Sequence, residues 1–223
     1  MRIFRTRGFT APLLVMLVIA LNGFGTLIVL PLVLTDVTGL STFTLGLFLV
    51  PGGAVISIVS ALGGRVYDRF GPRPLVIPGA IIWTATFWLL AQADEGTSGW
   101  TILAIYLVMT GAQALMWGPM TTAALAALPD HLHPHGSAAF GTVQQLAGAA
   151  GGAVLISAYT IGANAPDAGA LNVAASVSAS QTAFATAGVL AIGAILGTLF
   201  VGKAPAPHRA SPSPMPGTDS IQP

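Results

Sequence analysis

Apolar residues fall in long runs along this chain, separated by short polar stretches over residues 11–34, 43–62, 75–93, 100–120, 138–161 and 182–201. Each run is near the roughly 20 residues an α-helix needs to cross about 30 Å of hydrocarbon. The pattern predicts an all-α, polytopic membrane protein with six transmembrane helices. The first run follows a basic leader, Met1 to Arg7. It exceeds the about 7–15 residues of a signal-peptide core and lacks a small-residue cleavage site, so it is expected to stay as an uncleaved span. The fourth run can continue helically to Leu128, with Gly118-Pro119 as the expected kink. The chain thus divides into a leader (1–10), a six-span domain (11–202) and a Pro- and Ser-rich tail (203–223), which is expected to be disordered.

Charge placement gives a check on that count. The spans were chosen by apolar length alone, yet Arg2, Arg5, Arg7, Arg65, Arg69, Arg73, Lys203 and Arg209 all fall on one side of the resulting topology. Asp36, Asp94, Glu95 and Asp167 fall on the other. By the positive-inside rule the basic side is cytoplasmic, which puts both termini there. Only 7% of the residues are charged, against about 25% in a soluble domain. The natural partner is therefore the lipid bilayer. The few basic residues are placed by topology and form no patch, so no nucleic-acid partner is expected. With no cysteine in the chain, a disulfide framework, a thiolate metal site and a catalytic thiol are excluded.

The densest cluster of charge is Gly64-Arg-Val-Tyr-Asp-Arg-Phe-Gly-Pro-Arg73. It lies between two spans, so it is expected to form a tight hairpin at the water boundary. Gly64 would let the two helix ends approach, and Gly71-Pro72 would break the chain before a helix starting near Pro74. Asp68 would pair with neighbouring arginines or cap a helix start. The spacing of Gly64, Asp68, Arg69, Gly71 and Arg73 resembles the loop signature of the major facilitator superfamily of transporters, found between the second and third helices of each six-helix half. Pro72 stands where that family usually has a second basic residue.

No Asp, Glu, Lys, Arg or His lies inside any apolar run. The polar residues at depth are Asn22, Thr26, Gln113, Gln144 and Gln145, whose amides and hydroxyls suit either interhelical hydrogen bonds or substrate contact. Met109, Met116 and Trp117 could give the fourth span an adaptable apolar lining. Trp83, Phe87 and Trp88 are expected to face lipid and Trp100 to anchor at the interface. Asp130, His131, His133 and His135 cluster in a Pro-broken segment that fixes no helical face, so a surface loop is expected there and no metal site. Gly136-Ser-Ala138 falls short of an intramembrane serine protease motif, and catalysis is set aside. The Gly148/Gly152 and Gly193/Gly197 pairs put small residues on one helix face, as close helix packing requires.

Three passages extend the resemblance: Phe4-Arg-Thr-Arg-Gly-Phe-Thr10, Leu47-Phe-Leu-Val-Pro-Gly-Gly53, and residues 139–153 around Gln144-Gln145. They are similar to the C-terminal half of the multidrug-efflux branch, the drug:proton antiporters with fourteen spans. The resemblance implies one half of a major-facilitator fold in the plasma or inner cell membrane. It also implies a small-molecule substrate moved by alternating access, no cofactor, and Asn22, Thr26, Gln113 and Trp117 on the wall of a central cavity. Proton coupling in that family lies mainly in the N-terminal half, so a second six-helix half is expected as partner, as a separate chain or a second copy. A non-transporting scaffold or inactive truncated fragment is the competing class.

Overall fold

In the computed structural model, residues 7–38, 41–94, 96–164 and 173–199 are described. The first six residues, Glu95, Asp167, and the tail with Lys203 and Arg209 lie outside them, as do the expected leader's start and the 203–223 segment. Six helices carry the described chain: α1 (Arg7–Thr38), α2 (Thr42–Phe70), α3 (Arg73–Leu90), α4 (Gly99–Ala126), α5 (His133–Ala163) and α6 (Val173–Leu199). All six are long and apolar enough to span a membrane.

Local chemistry explains several helix ends. The Ser41 hydroxyl accepts from the Thr44 N–H at 3.3 Å, and the Ser98 hydroxyl accepts from the Trp100 N–H at 3.3 Å. Both are N-caps of the usual kind. Gly71 ends α2 with φ of +79°, its N–H donating back to the Tyr67 carbonyl at 2.8 Å. That left-handed backbone favours glycine. Pro72 then supplies the carbonyl that accepts from Leu75 and Val76, opening α3.

Three boundaries differ from expectation. The Gly64 to Phe70 stretch is helical, so the hairpin shrinks to Gly71 and Pro72. The polar segment after α4 is a single 3-10 turn, Asp130–Leu132, followed at once by α5, which takes in His133, His135 and Ser137. The His133 ring bonds the Leu128 carbonyl at 3.0 Å, which ties that start down. Finally, α6 begins nine residues before the apolar run, because Ser and Ala positions from Val173 to Gln181 extend it without strong hydropathy. Pro119 lies within the continuous α4, which runs on to Ala126.

The helix α1 is the hub. It packs against α5, α6 and α4, while α3 sits between α4 and α6, and α2 leans mainly on α4. Where α1 meets α5 the backbones nearly touch: a methyl built on Gly151 would land on the Leu21 carbonyl oxygen, and one on Gly25 would stand 2.7 Å from the Gly151 oxygen. Gly148 lies under the Phe24 ring and Gly152 under the tip of Ile28. Gly197 of α6 abuts Val15, whereas Gly193 has only Val18 at 3.9 Å and closes no tight contact.

Trp83 and Phe87, expected to face lipid, are each 0% exposed and meet edge to face at 4.9 Å. Hydropathy cannot distinguish lipid from the bundle interior, since both are apolar. Their placement follows from α3 being clasped by α4 and α6, where the Thr84 hydroxyl also donates to the Ala191 carbonyl. Trp88 is exposed at its outer edge and rests on Gly188, and Trp100 is exposed beside Phe48.

Candidate functional site

A partly open cleft of about 250 Å³ lies between α1, α2, α4 and α5. Its α4 wall is built from Tyr106, Met109, Thr110, Gln113 and Trp117. Tyr106, Thr110, Gln113 and Trp117 recur at steps of four, three and four residues, which brings them onto one face of a helix. From α1 come Gly23, Phe24, Thr26, Leu27, Leu30 and Pro31, from α2 Leu49 and Ile56, and from α5 Gln144. Apolar and aromatic surface therefore dominates, with a few uncharged polar groups converging on it.

Of the expected cavity residues, Thr26, Gln113 and Trp117 line the cleft. Asn22 does not. It is fully buried behind the α1 wall, its amide nitrogen donating to the Val18 carbonyl at 3.3 Å. Among the described residues its Oδ1 has no hydrogen-bond partner, and neither does the Thr26 Oγ1. The two residues are four apart in α1, about one helical turn. Thr110 is satisfied internally, its hydroxyl donating to the Leu107 carbonyl at 3.0 Å. Met116 points away from the cleft into the core against Gly79.

Sequence reasoning missed Tyr106, Thr110 and Phe24 as lining residues. The signal was available on α4 as the heptad-like recurrence through Gln113, but nothing in α1 alone shows that Phe24 turns inward to the cleft while 36% exposed.

The signature residues form a separate group at the end of α2. Gly64, Arg65, Asp68, Arg69 and Arg73 are exposed, and the Arg69 guanidinium lies 5.5 Å from the Phe70 ring centre. A methyl on Gly64 would meet nothing within 4 Å, so this glycine closes no helix contact. Asp68 sits in the last turn of α2, the negative end of the helix dipole, and cannot cap a helix start from there.

The fold defines a multi-pass, all-helical membrane protein with a partly open, mostly apolar cleft. Residues 1–152 match the profile of the Major Facilitator Superfamily, and the chain belongs to that family. It is 34% identical over 210 residues to the lincomycin resistance protein LmrB of Listeria monocytogenes, covering 92% of this chain and 45% of the relative. It is 36% identical over 190 residues to the uncharacterised MFS-type transporter YcnB of Bacillus subtilis, covering 85% of this chain and 40% of that protein. A multidrug resistance protein B homolog of Mycobacterium tuberculosis is 29% identical over 160 residues, covering 70% of this chain and 29% of the relative. The chain thus spans less than half the length of these relatives.

Proposed function

We propose that this chain is one six-helix half of a transporter that carries small amphipathic, drug-like molecules across the cell membrane by alternating access. The observation that carries this reading is the cleft, where aromatic and aliphatic walls surround uncharged polar groups and one of them, the Thr26 hydroxyl, has no partner within the described residues. Thr26, Gln113 and Trp117 contact the substrate in this reading, and Asn22 acts from behind the wall. Relatives named for lincomycin or multidrug resistance support efflux as the direction and make lincomycin the first compound to test.

A second six-helix half, from another chain or a second copy, covers the cleft face in the working transporter. Amides and hydroxyls facing hydrocarbon without partners are costly, which argues for such a cover. The cleft's amides and hydroxyls do not titrate near neutral pH, so any proton coupling comes from the other half. Both termini are cytoplasmic in this arrangement, and the signature residues, with Asp68 among them, act in gating. The test is movement of lincomycin into liposomes under a pH gradient, with the purified chain alone and with a co-expressed second half. Transport only in the pair supports the proposal. Robust coupled transport by a monomer would overturn it, and silence in both would favour the scaffold reading.

A further inference from the structure

Two polar side chains of the α4 stripe reach into spaces that glycines leave on neighbouring helices. A methyl built on Gly23 of α1 would stand 2.6 Å from the Gln113 Nε2, so the nitrogen end of the Gln113 carboxamide occupies the space that the missing side chain leaves. On the other side of the cleft, a methyl on Gly52 of α2 would stand 2.5 Å from the Tyr106 hydroxyl oxygen and 2.6 Å from its ring carbon. Gly52 is buried although α2 is otherwise the most exposed helix, with 11% of its membrane-spanning window buried against 56% for α1. Both glycines therefore serve as sockets for particular polar side chains, in contrast to Gly151, which abuts backbone.

From these contacts we infer that Gly23 and Gly52 are specificity-determining positions: they seat Gln113 and Tyr106 so that the cleft reads an uncharged hydroxyl or carboxamide carried by a largely apolar ligand. The inference rests on the cleft being the ligand site, as proposed above. Thr26, 3% exposed, lies on the same cleft wall as Gly23, its hydroxyl buried in that wall and without a partner among the described residues. No Asp, Glu, Lys, Arg or His is among the lining residues, so this half of the cleft offers a ligand charge no ionic partner. A hydrogen-bonding site discriminates strongly against an analogue that leaves its buried polar groups unpaired, whereas apolar walls alone discriminate weakly.

The sockets differ in what a substitution does. At Gly23 the obstructed atom is the free end of a flexible side chain, so Gly23→Ala swings the Gln113 carboxamide aside without moving a helix. That makes a double-mutant cycle informative. The probes are 2-naphthamide and 2-methylnaphthalene, which share one aromatic body. Saturable binding to the full chain in lipid nanodiscs is read from quenching of Trp117, with Trp117→Phe as the blank. The unsubstituted chain should prefer the amide by about three- to tenfold, the range of a net hydrogen bond. Gly23→Ala and Gln113→Ala should each remove that preference while leaving melting and helix content unchanged, and the double variant should be no worse than either. Multiplicative losses in the double variant, or equal binding of both probes by the unsubstituted chain, would overturn the inference while leaving the cleft as a ligand site. Absence of any saturable binding would instead overturn the ligand-site reading itself, and this inference with it. Should Gly23→Ala not fold, Gln113→Leu, similar in size and apolar, carries the same comparison: an unchanged amide preference there overturns the inference.

Discussion

At the scale of single residues, the α1–α5 and α3 contacts set the sharpest expectations. Trp83 is fully buried against Phe87, so Trp83→Ala should cost about 3–5 kcal/mol, the usual range for emptying an aromatic site in a core. A lipid-facing tryptophan would lose far less. Reversible unfolding in bicelles reads the difference. Gly151→Ala, which drives a methyl into the Leu21 carbonyl, should cost about 1–3 kcal/mol or more, because backbone on both sides must separate. Gly193→Ala, with nothing nearer than 3.9 Å, should change little in the same assay. As sequence, Gly151 and Gly193 look alike, each a glycine in an apolar span. The approach of the neighbouring helix decides which of them is indispensable, and no spacing rule contains that distance.

The α2–α3 junction shows how an element can override a motif. Gly71 holds a positive φ, so Gly71→Ala should destabilise by about 1–2 kcal/mol through the left-handed backbone alone. Loss of thermal stability in the purified protein checks it. Asp68 is expected to behave differently. As an exposed carboxylate at the negative end of the α2 dipole it opposes the helix, so Asp68→Asn should leave insertion and expression intact and stability equal or slightly higher. Under the proposed gating role, the same substitution should lower transport by the complete protein. Normal transport in Asp68→Asn would remove the motif from the mechanism. The motif's residues were readable in order and type, but their setting was not: helix propagates through Gly64 to Phe70 because nothing in those residues stops it before the Gly71-Pro72 pair.

For the whole molecule, the expected topology places reporter fusions after Leu40, Gly96 and Gly169 outside, and fusions after Phe70 and Pro134 inside. One reversed fusion would break the six-span arrangement with cytoplasmic ends. The number of spans and the membrane class were legible in the chain itself, because a bilayer imposes a length and a hydropathy on every crossing segment, and the family was legible in the spacing of Gly64, Asp68, Arg69, Gly71 and Arg73. Thr26 and Gln113 stood out by polarity at depth and Trp117 as an apolar lining residue, the family resemblance put them on a cavity wall, and all three line the cleft. Which way each helix turns was decided only in the folded bundle. With lipid outside and apolar side chains inside, there is no hydrophobic contrast to orient a helix, so packing shape must do it. That is why Trp83 and Phe87 face inward against expectation and why Asn22, polar and central, sits behind the wall. It is also why Tyr106 and Gln113 reach into spaces left by glycines on other helices.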